Sequence, residues 1–207
     1  MTYDELKKIV EAKNYLFFSS GVYNLNFIWV RMDLQATNHF TDKLYVAYLD
    51  PKQQKQVLDV FCTTKPGLKD SLYNPKTVDG VTGTAIIQEA QYRGTWEFRD
   101  TTAEFSSYPY FRQIKPVNYF RDGDKDNTID EINEQHNKIY GTHWHRMSNF
   151  GDKRKVENYE VNNWSQGCMG SVISEWDKVI AITRESVKLY GNKFTGTIIT
   201  GEDLKVI

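Results

Sequence analysis

The sequence predicts a mainly β protein, a sandwich or barrel, with a short N-terminal helix and one long C-terminal helix next to the active site. Three observations carry this prediction. The chain of 207 residues is 14% aromatic, with 13 tyrosines and 11 phenylalanines, a composition typical of sheets. Many short segments alternate between apolar and polar residues and end at turn-forming sequences. Helical spacing of apolar residues dominates only near the two ends of the chain.

The two helices are predicted from their boundaries as well as from their periodicity. Thr2 and Glu5 have the spacing of a capping box, and an amphipathic pattern follows to about residue 12. A longer apolar stripe runs over residues 171–190, and Gly191 supplies its stop signal.

Strands account for most of the remaining pattern. The segments 43–49 and 55–63 are separated by turn residues and predict a hairpin. We divide the chain into an annex at residues 1–80, made of strands and the short helix and packed on the core, and a catalytic domain at residues 81–207. The strands are expected at 24–32, 43–49, 55–63, 84–88, 95–98, 117–121, 138–145 and 194–200.

Charge and hydropathy exclude several classes of protein. The formal net charge is −1, so no basic excess suggests nucleic-acid binding. No apolar run reaches the length of a membrane span. The first residues are polar and lack the apolar core of a signal peptide, so we expect synthesis in the cytoplasm without export by the common route. Of the two cysteines, Cys62 lies in an alternating strand and is interpreted as a small buried apolar side chain.

The second cysteine, Cys168, stands in the run Asn-Trp-Ser-Gln-Gly-Cys-Met-Gly over residues 163–170, just before the predicted long helix. The thiolate is the reactive form of cysteine, and the start of a helix favours it. Gly167 and Gly170 let the backbone turn sharply and present N–H groups to an oxyanion. Gly167 also leaves space for a substrate carbonyl. We therefore predict that Cys168 is a catalytic thiol.

Two of the four histidines lie 25 and 23 residues before this cysteine. His143 and His145 lie on a predicted strand and, by its period of two, point to the same face. A histidine within hydrogen-bond reach can take the thiol proton. The alternative is that both are ordinary polar residues on a wetted sheet face.

The order of these elements resembles the catalytic half of the L,D-transpeptidase (YkuD-type) domain, across residues 138–200. Ser165, Gly167 and Cys168 match its Ser-His-Gly-Cys signature, and Gln166 stands where that family has histidine. The resemblance implies a mostly β fold with a helix beside the active site. It also implies an acyl-enzyme formed on peptidoglycan stem peptides, with no cofactor required for catalysis.

The resemblance implies which histidine is the base, and side-chain chemistry predicts roles for the other residues. His145 is the expected base, since it lies nearest the strand end, and His143 is the alternative base or an orienting partner. Ser165 is expected to bond the turn or the imidazole. The predicted substrate-binding residues are Arg146, which would hold a carboxylate, and Trp164 and Gln166. For Arg146 a plain surface position, and for Trp164 a place in the core or wall, stay open.

An acidic loop is the second signal. Oxygen-bearing residues at positions 1, 3, 5, 7 and 9 match a calcium loop, although position 12 is Asn133 instead of glutamate. The alternative is a solvated acidic turn. The predicted ligands of a structural calcium ion are Asp122, Asp124, Asp126, Thr128 and Asp130.

The leading functional hypothesis is a cysteine-dependent cell-wall hydrolase, carried by a phage or delivered as an effector, which meets the wall after lysis, virion delivery or non-classical export. Cross-linking by an L,D-transpeptidase is the alternative within the same class. A non-catalytic virion or wall-binding protein that keeps the fold is the competing class. The only partner predicted is the peptidoglycan peptide, and the oligomeric state stays open.

Overall fold

A computed structural model describes residues 1–35, 38–67, 75–100, 108–126, 128–149 and 151–206. Within these ranges the chain is mainly β, as predicted, and has two α-helices. Short 3-10 helices cover Val156–Asn158, Asn162–Trp164 and Glu202–Val206. The helices and strands are α1 (Tyr3–Ala12), β1 (Asn26–Arg31), β2 (Asp42–Leu49), β3 (Lys55–Cys62), β4 (Thr77–Val78), β5 (Val81–Thr82), β6 (Thr84–Ile87), β7 (Ala90–Arg99), β8 (Tyr110–Gln113), β9 (Val117–Asp122), β10 (Gln135–Lys138), β11 (Trp144–Arg146), β12 (Met169–Ser171), α2 (Ile173–Tyr190) and β13 (Lys193–Thr200).

Eight strands form one sheet that nearly closes into a barrel. Their order is β12-β11-β8-β7-β13-β1-β2-β3. The two edges meet where Thr63, directly after β3, exchanges two backbone hydrogen bonds with Gly170 of β12, at 2.9 and 3.1 Å. The expected barrel-like β architecture is therefore confirmed, and strands from both sides of residue 80 share this sheet.

An aromatic core fills the barrel. Trp144 stacks on Phe111 with ring centroids 4.0 Å apart, and Phe27 and Trp29 contact Trp144 edge-on. Trp176 of α2 joins the same cluster, so the long helix packs on this core. Aromatic pairs of this kind add to the burial of their area. Cys62 is fully buried in this cluster, which confirms its interpretation as a core residue.

The helix α1 covers the other face of the sheet. Its capping box forms as predicted, because the Thr2 hydroxyl accepts from the Glu5 N–H at 3.3 Å and the Glu5 carboxylate accepts from the Thr2 N–H at 2.7 Å. The apolar stripe of the helix, with Leu6 at its centre, packs against Ile28 and Val30 of β1. As a result, β1 is buried on both faces.

Two predicted boundaries are wrong in the second half of the chain. The segment 138–145 is not one strand: β10 ends at Lys138, β11 begins at Trp144, and Gly141 between them has φ +74°, which breaks an extended backbone. The long helix begins at Ile173, not near residue 171, because Met169–Ser171 forms β12. Gly191 ends the helix with φ +79°, as expected.

A smaller sheet flanks the cysteine. It has the order β10-β9-β6, and a separate hairpin of β4 and β5 lies next to it in sequence. The structure adds strands that the pattern did not predict, among them β8. In the part of the chain described, no helix has the length and apolar character needed to cross a membrane.

Candidate active site

Cys168 lies at the end of a tight turn that leads into β12. The buried Ser165 hydroxyl donates to the Cys168 carbonyl at 2.7 Å and accepts from the Gly167 N–H at 3.2 Å. The Ser165 carbonyl in turn accepts from the N–H of Gly67 at 3.0 Å. Of the two roles expected for Ser165, these contacts correspond to bonding of the turn.

Gly167 is required by the turn for two reasons. Its φ is +120°, a conformation that side chains disfavour, and a Cβ placed there would lie 2.5 Å from the carbonyl oxygen of Ala85. The space that a side chain would take is therefore filled by the backbone of β6. The expectation that this space receives a substrate carbonyl is corrected accordingly.

The amides of the two glycines that flank Cys168 already have acceptors. The Gly167 N–H is bound by Ser165, and the Gly170 N–H donates to the carbonyl of Thr63 at 3.1 Å. Neither glycine amide is free to hold an oxyanion in this arrangement, contrary to expectation. The start of α2 at Ile173 is also separated from Cys168 by β12, so the helix terminus does not lie directly behind the thiol.

The segment that carries the two histidines runs beside the cysteine, with His145 on β11 and His143 directly before that strand. His145 pairs with Gly170 in the parallel register of β11 and β12, and the Met169 N–H donates to the His143 carbonyl at 3.0 Å. This register brings His143 level with Cys168. The strand pairing thus joins the histidine segment and the cysteine segment that the sequence placed in one site.

Hydrogen bonds distinguish the two imidazoles. The Nδ1 of His145 lies 2.6 Å from the carbonyl oxygen of Arg146, so it carries the proton and Nε2 keeps a free lone pair. The Nδ1 of His143 accepts from the Gln113 N–H at 3.3 Å, so its proton lies on Nε2. The one lone pair of His143 is therefore engaged by the Gln113 N–H, whereas the Nε2 of His145 has no hydrogen-bond partner among the described residues. The role of His145 as the base stays a prediction.

The Cys168 thiol and the two imidazoles favour their uncharged forms in the resting protein. Burial, opposed by a hydrogen bond from the His143 N–H, raises the pKa of the Cys168 thiol. Burial, followed by the charges of His145 and Arg112, lowers the pKa of His143 to about 4, and burial also lowers the pKa of His145. Among the described residues, neither imidazole hydrogen-bonds the Sγ atom, which lies 3.9 Å from the Gly141 carbonyl oxygen.

Cys168 opens onto a pocket of about 330 Å³ between the turn and the small sheet. This volume is at the lower end of the range for small-molecule sites. Gln166 is exposed on its rim and accepts a hydrogen bond from Lys76 Nζ at 3.2 Å. The lining residues are Lys76, Val78, Gly83, Thr84, Ala85, Arg121, Tyr140, Gly141, Thr142, Gln166, Gly167 and Cys168.

The other two predicted substrate-binding residues do not line this pocket. The guanidinium of Arg146 lies 4.2 Å above the ring of Tyr108, on the same strand as His145. Trp164 is half-buried against an apolar cluster that contains Tyr159 and Val161, and it borders a separate open depression. Trp164 therefore takes the wall position that the sequence left open.

The acidic loop follows β9. Asp122 is 1% exposed, and its Oδ1 has no hydrogen-bond partner among the described residues. Burial, together with the charges of Asp124 and Asp130, raises the pKa of Asp122 to about 6. Oxygens of Asp124 and Asp126 accept turn hydrogen bonds, at 3.1 and 2.6 Å. The sixth loop residue, Asn127, lies outside the described residues.

The loop is anchored but not arranged as a metal centre. Thr128 forms a β-bridge with Gln35, and the neighbouring Ile129 is buried. Over the described ranges, no group of three or more His, Cys, Asp or Glu side chains is arranged to hold a metal ion. The calcium site therefore stays a prediction, supported by the unpartnered carboxylate oxygen of Asp122.

Sequence reasoning missed three polar residues of the pocket: Lys76, Arg121 and Tyr140. Arg121 lies on the same face of β9 as Val117 and Tyr119. This alternation, which places a charged residue on the buried face of the strand, is the one sequence feature that could have marked it. Lys76 and Tyr140 lie in irregular segments with no local pattern that marks them.

The fold and the site thus define a mainly β protein in which a segment with two histidines runs beside a cysteine that lines a pocket. Comparisons with protein-family models, curated proteins and solved structures gave no match. The likeness to L,D-transpeptidases accordingly rests on the residues of segment 138–200 alone.

Proposed function

We propose that this protein is a cysteine-dependent enzyme that acts on peptidoglycan stem peptides through an acyl-enzyme on Cys168. The observation that supports the proposal is the parallel pairing of β11 with β12, which brings the backbone of the histidine segment beside that of Cys168. Cys168 lines the pocket, whereas neither histidine is among the described residues that line it. The chemistry of the substrate comes from the resemblance of the Ser-x-Gly-Cys turn to that family.

The reaction requires one proton carrier and one nucleophile. The Nε2 lone pair of His145 takes the thiol proton as Sγ attacks the peptide carbonyl, and the imidazolium then protonates the leaving amine. A thioester on Cys168 results. Water resolves it in the hydrolytic version that we favour, and the amine of a second stem peptide resolves it in the cross-linking alternative.

The uncharged Cys168 thiol of the resting protein sets a condition on this mechanism. Because the Cys168 pKa is raised and no imidazole bonds Sγ in the described residues, little thiolate forms near neutral pH until substrate binding brings His145 and Cys168 together. Catalytic hydrogen bonds are often long in enzymes without substrate and tighten in the complex.

The raised pKa of the Cys168 thiol also favours a second candidate, a non-catalytic wall-binding or virion protein that keeps the fold. A buried thiol with a raised pKa is typical of an inert structural cysteine. In that case the pocket binds a wall peptide without cleaving it.

Mass spectrometry of purified muropeptides after incubation with the protein distinguishes these candidates. Hydrolysis gives products shortened by cleavage, and transpeptidation gives cross-linked or exchanged products. Both must disappear with Cys168→Ala and must persist with Cys62→Ala if that variant folds. No product with the unmodified protein, or equal product with Cys168→Ala, overturns the enzyme proposal.

A further inference from the structure

We propose that the pocket beside Cys168 is a carboxylate-binding subsite in which Arg121, Lys76 and Tyr140 hold an acidic group of the acyl-donor peptide. This inference rests on the proposed function, because it assigns the substrate that the same cysteine attacks. None of these three residues was singled out by the sequence.

Arg121 gives the pocket a buried positive charge. The residue is 3% exposed, and its Nη2 donates to the carbonyls of Lys76 and Val81 at 3.0 and 3.4 Å. Its Nε has no hydrogen-bond partner among the described residues. A buried guanidinium donor without a partner is costly and is matched by a carboxylate, which accepts two parallel bonds.

Two further groups complete the set. Tyr140 packs with its ring 5.1 Å from the Arg121 guanidinium, and its buried hydroxyl also has no partner in the described part of the chain. Lys76 is exposed at the rim, where its ammonium contacts the Gln166 amide oxygen instead of a carboxylate. The pocket therefore offers a hydroxyl donor, a guanidinium and an ammonium.

The carboxylate that acts electrostatically on Arg121 from the β4–β5 hairpin is already engaged. Asp79 forms an ion pair with Lys138 Nζ at 2.9 Å. No aspartate or glutamate is among the described residues that line the pocket. Positive charge facing a site of this size, next to a nucleophile, selects an acyl donor that carries a carboxylate over one that carries a carboxamide.

A matched pair of thiol reagents tests the charge of the pocket without requiring catalysis. Iodoacetate and iodoacetamide alkylate the same Sγ with the same leaving group, and only the first is an anion. The ratio of their rate constants at Cys168, measured by peptide mass mapping at low salt, reports the local positive charge. The variant Lys76→Gln should lower this ratio roughly three- to tenfold, and added salt should reduce the difference.

Controls separate local from global charge. Lys8→Gln removes an exposed lysine from α1 and should leave the ratio unchanged. Arg121→Gln should lower the ratio further, provided that circular dichroism and thermal unfolding show that the variant is folded. Arg121→Lys keeps the charge and should give a ratio close to that of the unmodified protein. Equal ratios in the unmodified protein and Lys76→Gln, or no iodoacetate labelling of Cys168, overturn the inference.

Competing anions identify the ligand class. Acetate should slow iodoacetate labelling at least as well as inorganic phosphate at equal ionic strength, and stronger protection by phosphate contradicts the carboxylate assignment. The second readout compares turnover of two muropeptides, one with a free acidic residue and one in which that residue is amidated. Lys76→Gln should lower kcat/KM for the muropeptide with the free acid and leave kcat/KM for the amidated one unchanged. If neither peptide is turned over, the proposed function fails while the labelling ratio still decides the subsite.

Discussion

The hydroxyl of Ser165 donates a 2.7 Å hydrogen bond to the carbonyl of Cys168, and the same oxygen accepts from the Gly167 N–H. This one side chain therefore fixes the turn that presents the thiol. Ser165 is fully buried, so its loss leaves two backbone groups without a partner and without water.

We expect Ser165→Ala to lower the free energy of unfolding by about 1–3 kcal/mol, the usual cost of unsatisfied buried polar groups. Urea unfolding followed by tryptophan fluorescence measures this change. The control Ser174→Ala, at an exposed serine of α2, should stay within about 0.5 kcal/mol of the unmodified protein. Equal stability of the two variants would show that the Ser165 bonds do not hold the turn.

Gly167→Ala should be more damaging than a change at an unconfined glycine. Gly167 combines a φ of +120° with a Cβ position 2.5 Å from the Ala85 carbonyl oxygen, whereas Gly80 has φ +77° and no atom within 4 Å. Gly80→Ala should cost about 1 kcal/mol from backbone strain alone. Gly167→Ala should cost at least about 2 kcal/mol more, because backbone must also move. Thermal unfolding of both variants makes the comparison, and equal losses would disprove the close packing of the turn on β6.

The pH dependence of thiol labelling tests whether the Cys168 thiol is uncharged in the resting protein. Because the Cys168 pKa is raised, the thiolate fraction should grow about tenfold per pH unit across the neutral range and should show no plateau below pH 8. Iodoacetamide labelling of Cys168 at pH 6–9, with the fully buried Cys62 as the slower internal reference, checks this expectation. A plateau at acidic pH would reveal a thiolate–imidazolium pair in the free protein.

Several local features of the fold could be predicted from the sequence alone. The capping box at Thr2 and the stop at Gly191 are local signals, and both are found where predicted. The hairpin of β2 and β3 follows from alternation and turn chemistry, and its pairing is confirmed. Each of these features depends on residues that are close together in the chain.

The site depends on contacts that no local pattern encodes. The role of Gly167 is set by Ala85, which is distant in sequence, and the left-handed Gly141 divides what alternation predicts as one strand. Arg121 looks like an ordinary member of β9 until the fold brings it to the wall of the Cys168 pocket. Cysteine and histidine could be proposed from the sequence as partners, but their protonation and the charge of the pocket required the structure.

Asp122 should destabilise the folded protein once it ionises. Its folded-state pKa of about 6 exceeds its ordinary value of 3.8, so the folded state binds more protons between these values and its stability falls as pH rises through that window. Asp122→Asn removes the charge and should raise the free energy of unfolding by about 1–3 kcal/mol at pH 7 in chelator, but by little near pH 4. Urea unfolding at both pH values tests this, and an equal effect at both would contradict it.

Calcium provides the second arm of that test. If the predicted loop binds the ion, millimolar calcium should raise the Tm of the unmodified protein at pH 7 and leave Asp122→Asn unchanged, because the Asp122 carboxylate is the buried ligand. Magnesium, which demands stricter geometry, is the ionic control. No shift with calcium would leave the loop as a solvated acidic turn.

The central claim is that Cys168 forms an acyl-enzyme with His145 as its base. Intact-protein mass spectrometry after a brief reaction with purified stem peptides and an acid quench, followed by peptide mapping, measures it directly. We predict an added acyl mass on Cys168 and none on Cys62, with at least about a hundredfold slower formation in a folded His145→Ala variant. Absence of any adduct, or an adduct that forms equally fast without His145, would contradict it.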